Sequence, residues 1–370
     1  MTDFQDSLND SLSSRLKSAA LSLGFSQAAI SPLKSPLSIA FYEKWLSQGH
    51  HADMAYLQNH LPFKQDPTLL GKELKSVISV THSYYPAVQP SPLTVPARTA
   101  LYSQNEDYHF WVKEKLQKLS SELSQLYPDS VFLPYVDSGP ILERDLAYQN
   151  GLGWFGKNTC LIHPQHGSLF FIAEILTTLA IKNESLDGSP AEGSPIEPLP
   201  DFCGKCQKCL DICPTGALSS PRVLEADKCI SYLTIESKSV PALELRNKIG
   251  DWFFGCDLCQ TTCPWNQKVF RKSNIDHGNR TSTDLHSNLT AERRTELIEY
   301  FQFLLQASHK QIQKHHYGSP LLRAGAKGLK RNALIVIANQ QLHELTEVVK
   351  ALQTPELVEL KEWTLEQLTS

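Results

Sequence analysis

The chain has 370 residues, 41% of them hydrophobic and 20% charged, and a formal net charge of −4. This length allows two or three domains, because a single core stops growing at about 250–300 residues. The composition excludes both a disordered chain and a polytopic membrane protein. No apolar run reaches the roughly 18 residues of a bilayer helix. The acidic start Met1-Thr2-Asp3-Phe4-Gln5-Asp6 has neither the basic nor the apolar region of a signal peptide, so a cytoplasmic protein is expected.

In chain order, residues 8–23 have helical spacing, with Leu8, Leu12, Leu16, Ala20 and Leu23 on one side. Val77–Val80 and Val131–Val136 read as short strands, 107–126 as a helix, and Leu169–Thr178 as a buried strand. Residues 1–182 therefore form an α/β or α+β domain whose strand order the pattern does not reveal. Two polar stretches, Asn183–Asp201 and Arg271–Thr290, divide the chain and set off a middle block, 202–270, and a last block, 291–370. The last block is helical in pieces (Leu297–Leu305, Ala326–Ala338, Leu342–Leu352 and Pro355–Leu368). Its layout is like a stacked helix pair of the HEAT type, although no second copy of the period is visible.

The strongest signal lies in the middle block. Eight of the nine cysteines fall between 203 and 263, an uneven distribution that in a reducing compartment points to metal rather than disulfides. Cys203, Cys206, Cys209 and Cys213-Pro214 have the spacing C-x2-C-x2-C-x3-C-P of ferredoxins that hold two cubane clusters. The reciprocal run, Cys256, Cys259 and Cys263-Pro264, is one cysteine short because Phe253 occupies the missing position, and Cys229 can fill the vacancy. This arithmetic assigns Cys203, Cys206, Cys209 and Cys263 to one [4Fe–4S] cluster, and Cys213, Cys229, Cys256 and Cys259 to the other. Paired zinc knots would also use C-x2-C pairs, but zinc does not need two runs ending in Cys-Pro. Two adjacent clusters would carry single electrons at low potential. Cys160 is most simply a small buried residue.

Weaker features keep two readings each. Gly151-Leu-Gly153-Trp-Phe-Gly156-Lys157 matches the dinucleotide fingerprint but follows the helical stretch Ile141–Gln149 rather than a strand, so nicotinamide binding is rejected. It is either a helix stop or a loop approached by another large ligand. Asp137-Ser138-Gly139-Pro140 ends a strand and precedes a helix, which suits an N-cap or an acid at a ligand crevice. The pairs His50-His51 and His315-His316 lack partners at ligand spacing and read as surface residues, and no D-x-H-x-x-G segment is present to hold cobalamin by a histidine. Residues 309–331 carry Lys310, Lys314, Arg323, Lys327, Lys330 and Arg331 with no acid, a solvated face or a nucleic-acid contact.

The set Met54-Ala55-Tyr56-Leu57, Asp66-Pro67, Asp107-Tyr108-His109, Asp137–Pro140 and Gly151–Asn158, followed by both cysteine runs, Cys229–Glu236 and Gly328–Asn332, resembles the epoxyqueuosine reductases over nearly the whole chain. The resemblance implies an α+β protein with an N-terminal cobalamin-binding domain, a ferredoxin-like module and a HEAT-like tail that binds tRNA. It implies reduction of the epoxide of epoxyqueuosine in tRNA to an alkene, with loss of water. Electrons would pass through two [4Fe–4S] clusters to cobalamin, whose Co(I) form engages the substrate. By the same resemblance Asp137 is the proton donor, and Lys64, Asp137, Lys157, Ser231, Gly255, Cys256 and Asp257 lie at the cobalamin surface. Leu233 and Lys238 lie beside the tRNA, with Lys327, Lys330 and Arg331 on the basic face. Lys64 stands where the family commonly has Arg, which keeps the charge but loses the bidentate fork. The expected partners are tRNA and a low-potential electron donor, with no membrane, for a monomeric enzyme. The competing readings are a reductive dehalogenase-like corrinoid reductase and a ferredoxin-type electron-transfer protein. An export signal would favour the former, and neither needs a basic tail.

Overall fold

The computed structural model describes residues 14–85, 93–180, 199–272 and 290–369. Leu8, Leu12 and most of the two polar stretches lie outside the described residues. The chain forms two compact units, each assembled from separated segments. The first comprises described residues 14–85, 108–180, 199–206 and 264–272, and the second 93–107, 207–263 and 290–369. Sequence blocks 1–182, 202–270 and 291–370 do not coincide with this partition: residues 202–206 and 264–270 join the first unit, 93–107 join the second, and the rest of the middle and last blocks fall in one unit. The helix Pro264–Lys272 puts Trp265 against Trp154 and Phe270 against Tyr85 in the first unit. Arg98–Thr99 instead pairs in parallel with Trp252–Phe254 in the second, where the Arg98 guanidinium lies 3.9 Å over the Trp252 ring.

The first unit is built on an antiparallel sheet of β1 (Gln27–Pro32), β2 (Ser76–Ser83), β3 (Phe132–Val136) and β4 (Phe170–Thr177), in the order β1-β2-β4-β3. Three of these strands match expected runs, whereas β1 gives little signal because Ala28 and Ala29 are small. The central strand β4 is apolar along most of its length because helices cover both sheet faces. α1 (Tyr108–Leu126) buries Val112, Leu116, Leu119 and Leu123, one helical stripe, over the face that carries Phe171. α2 (Glu143–Gln149) packs Leu146 with Val77 and Leu176 on the other face. That second face also holds an acidic residue of β4, Glu174, which is fully buried opposite Ser79 of β2 and Tyr135 of β3.

In the second unit, α3 (Ile230–Ile235) lies among the cysteines, and α4 (Ala291–Gln306), α5 (Gly325–Asn339) and α6 (Val358–Thr369) follow. A further helix, His309–His315, has a Ser308/Gln311 capping box that the sequence reading overlooked. α5 is buried nearly all round, from Leu329 to Ala338, as expected of a helix with neighbours on every side. His316 is a core residue paired with the Tyr300 hydroxyl at 3.2 Å, which corrects its reading as a surface histidine. No helix among the described residues is long and apolar enough to cross a membrane.

Candidate active site

At the end of β3 the backbone of Asp137 takes φ 45°, a left-handed conformation that few residues other than glycine adopt and that Asp tolerates better than most. The Ser138 N–H turns back onto the Val136 carbonyl. At Gly139 a Cβ would come within 2.8 Å of the Tyr135 ring, so this tight loop requires glycine there. Neither Asp137 nor Ser138 caps α2, whose N-cap residue is Leu142. The Asp137 carboxyl instead turns to α1. The Tyr108 hydroxyl donates to Oδ2 at 2.6 Å, and His109 Nε2 lies 3.2 Å from the same oxygen. The Tyr108 ring is fixed in turn by stacking on Phe171 at 4.0 Å and on His109 at 4.2 Å. The Asp137 side chain remains 58% exposed, so the carboxyl is held at Oδ2 and still reached by solvent.

Behind the loop, Glu143 is the first residue of α2, and its carboxyl accepts the backbone N–H of Asp137. Lys64 is 6% exposed and donates to the Ile141 carbonyl at 2.9 Å. Its ammonium is engaged inside the protein, where burial pulls its pKa down. This corrects the expectation of an open corrin contact, because Lys64 steadies the segment between the Asp137 loop and α2. Tyr108, His109 and Glu143 were not singled out as site residues. The adjacency of Asp107-Tyr108-His109 in the resemblance was the one available signal, and for Glu143 there was none.

The glycine motif proves to be packing. Gly151 has φ 72° and stops α2, and a Cβ on Gly153 would lie 2.6 Å from the Ile162 carbonyl oxygen in the facing strand of a hairpin. Lys157 reaches out of this hairpin and donates to the carbonyls of Gly204 at 2.7 Å and Cys206 at 2.9 Å, clamping the first cysteine loop.

In the second unit Cys213, Cys229 and Cys256 are close enough for each thiolate to disfavour the next. Burial is the larger cause and pushes the Cys229 and Cys256 thiols up, although backbone N–H groups of Ser231 and Tyr232 at the start of α3 oppose it at Cys229. Desolvated, mutually repelling thiols are poor isolated residues and good ligands to a cationic metal centre, which deprotonates them. No described cysteine is in a disulfide. Gly255 has φ 67°, and a Cβ there would meet Ala100 at 2.6 Å. Its N–H donates to Thr234 Oγ1 at 2.9 Å, which brings Ser231 on α3 beside the Gly255–Cys256 segment. Asp257 is buried and accepts from the Leu101 N–H at 2.6 Å, and burial pushes its pKa up to about 6. Its carboxyl therefore braces a neighbouring turn.

The basic face also differs from the expected one. Lys310, Lys314 and Lys327 are exposed, and Arg323 is exposed in an ion pair with Glu236. Lys330 is half-buried on the Leu305 carbonyl, and Arg331 is 2% exposed. The Arg331 guanidinium donates to the carbonyls of Leu233 at 2.6 Å, Ser237 at 2.5 Å and Ser239 at 3.1 Å. Asn332 adds those of Thr234 and Phe253. Arg331 and the buried Leu233 thus shape the segment 233–239 from within, which corrects their expected place on the tRNA surface, and Lys238 is exposed on that segment. Arg331→Leu is expected to lower stability by about 3 kcal/mol or more, because it orphans several buried carbonyls that cost about 1–3 kcal/mol each. Denaturant unfolding measures this, and a change under about 1 kcal/mol would show that water replaces the guanidinium.

Two family models match the chain. One, described as epoxyqueuosine reductase QueG, covers residues 64–138, and the other, a 4Fe-4S double cluster binding domain, covers residues 202–266. The chain is 34% identical to the epoxyqueuosine reductase of Pseudomonas aeruginosa over 334 residues, 89% of this chain and 85% of that one. The structure of epoxyqueuosine reductase from Bacillus subtilis with its catalytic loop swung out of the active site aligns with TM-score 0.76 and 26% identity, over 97% of this chain and 90% of that one. A crystal structure of epoxyqueuosine reductase with an epoxyqueuosine-modified tRNA-Tyr stem loop shares the fold, with TM-score 0.72 and 24% identity over 97% and 99% of the two chains.

Proposed function

The chain belongs to the epoxyqueuosine reductase family, and on that premise we infer that it reduces the epoxide of epoxyqueuosine in tRNA to the alkene of queuosine. It is an oxidoreductase with iron–sulfur centres of the [4Fe–4S] type. The ligand sets are those of the sequence arithmetic: Cys203, Cys206, Cys209 and Cys263 for one cluster, and Cys213, Cys229, Cys256 and Cys259 for the other. The second set is supported by the nearness of Cys229 to Cys213 and of Cys256 to Cys229.

One observation carries the assignment of the acid. Asp137 is held by the Tyr108 hydroxyl at 2.6 Å on a strained loop and is still half open. In this reading Asp137 protonates the epoxide oxygen, which would otherwise leave as an alkoxide. Tyr108 and His109 orient its carboxyl, and Glu143 and Lys64 hold the loop and the segment after it.

Cobalamin is the cofactor this reading assigns. The residues suit it in each unit separately: a half-open carboxyl beside the flat rings of Tyr108 and His109 in one, and a left-handed glycine next to Ser231 and Cys256 in the other. When bound it supplies a strongly reducing, nucleophilic cobalt. The electron donor is a separate low-potential protein, and the chain acts in the cytoplasm as a monomer. Anaerobic incubation with reductant, cobalamin and tRNA carrying epoxyqueuosine, followed by nucleoside mass spectrometry, tests the function. Queuosine formed only when all three are supplied supports it, and no product under those conditions overturns it.

The helical tail, read as a HEAT-like unit, contacts tRNA phosphates through its exposed lysines. Replacing Lys310, Lys314 and Lys327 together with Ala is expected to weaken tRNA binding and flatten its dependence on salt by up to about 0.7–0.9 in log–log slope per lost phosphate contact. Iron content should not change. Equal binding at several salt concentrations would make these lysines an ordinary solvated surface.

A further inference from the structure

The first unit contains a second acidic feature that the reading above does not use. Glu174 interrupts the apolar central strand β4, is fully buried, and neither of its carboxyl oxygens has a hydrogen-bond partner. On the same sheet face Glu143 Oε1 is also buried and unpartnered, as is Oδ1 of Asn150, whose amide donates to Ser79 at 2.7 Å. Buried acceptors without a hydrogen-bond partner among the described residues thus gather where α2 packs on the sheet. Two ionised carboxylates in such a place would cost several kcal/mol each, so the arrangement is stable only if the pair retains a proton. The pair adjoins the catalytic loop, since the Glu143 carboxyl takes the Asp137 N–H.

We propose that Glu143 and Glu174 together store the proton with which Asp137 is recharged within a turnover. The proposal rests on Asp137 being the acid of epoxyqueuosine reduction. Converting the epoxide to an alkene and water consumes two electrons and two protons. The electrons come from the low-potential donor through the iron–sulfur centres. The first proton goes from Asp137 to the epoxide oxygen as one C–O bond breaks and a hydroxyl forms. The second must reach that hydroxyl as the other C–O bond breaks and water leaves. Asp137 carries only one proton at a time. The stored proton returns Asp137 to its acid form between the two events, and solvent refills the pair after product leaves.

The electrostatics agree. Burial, then the neighbouring charge of Glu143, raises Glu174 well above the usual carboxylate range. Burial and the charge of Asp137 push Glu143 up to about 8, against the opposing effect of Lys64 and Arg144. Glu143 and Glu174 act through Asp137 and touch no substrate.

Infrared spectroscopy of the isolated protein, titrated from mildly acidic to alkaline pH, reads the stored proton without turnover. The expected result is a protonated-carboxyl band that persists at neutral pH, disappears on the alkaline side and is lost in Glu174→Gln. In steady-state assays Glu143→Gln should lower kcat by about 10²-fold, the low end of what a positioned proton donor contributes, without changing KM for tRNA. It should also abolish the alkaline decline of kcat, a change that a merely structural residue would not produce. Absence of the band in the wild-type protein overturns the proposal whether or not the variants fold, and so does a Glu143→Gln profile that matches wild type. Failure of the wild-type protein to form queuosine would overturn the functional reading instead, while the band still decides whether the pair holds a proton.

Discussion

Asp137→Asn is expected to lower turnover by about 10²–10⁴-fold, the usual contribution of general acid catalysis. Iron content, cobalamin affinity and tRNA affinity should be retained. Asparagine has nearly the same shape, tolerates the left-handed backbone at φ 45°, and its carbonyl oxygen can still accept from the Tyr108 hydroxyl 2.6 Å away. The exchange removes only acidity. Single-turnover assays with pre-reduced enzyme measure the effect on the chemical step and avoid a limit set by electron delivery. A rate within threefold of wild type would show that Asp137 is a loop-shaping residue and that water supplies the proton. Tyr108→Phe provides the companion measurement. It removes the donor to Oδ2 but leaves the carboxyl, so it should cost less than Asp137→Asn and alter the pH profile rather than eliminate activity.

Cys256→Ser is expected to abolish turnover and to reduce iron in anaerobically reconstituted protein from about eight to about four per chain, as loss of one of two cubane clusters requires. The thiol of Cys256 lies close to that of Cys229, and both are desolvated, so a hydroxyl there is a far weaker ligand. Visible charge-transfer absorption should fall by about half, because the other ligand set is untouched. Cys160→Ser should retain all the iron, since Cys160 lies in the Trp154–Ile162 hairpin, where its carbonyl accepts the Gly156 N–H. Stoichiometric zinc without charge-transfer absorption would overturn the assignment outright.

The iron–sulfur chemistry was legible from residues alone, because ligand spacing in a cysteine run is a local property and each run ends in its own Cys-Pro. The same holds for β2, β3, β4 and α1, whose period-2 or period-3.6 patterns mark them independently of what they pack against. Asp137 was legible by its position at the end of β3, but not its state. The left-handed backbone and the bond from Tyr108, 29 residues away in sequence, exist only once α1 lies across the sheet. Charge patterning was least informative where burial decides the role. Arg331 read as part of a basic face and Lys64, by resemblance, as a cobalamin contact, but the fold needed donors for the carbonyls of Ile141, Leu233, Ser237 and Ser239 and drew both side chains inside. Glu174 gave no signal, since one acid in a strand-forming run is ordinary. Only the pairing of β4 on both edges, with α2 over the face that carries Glu174, makes it a buried acid beside Glu143. Local spacing determined which elements and metal ligands this chain has. Tertiary packing decided which charges face water and which are held inside, because desolvation depends on neighbours that lie far apart in the chain.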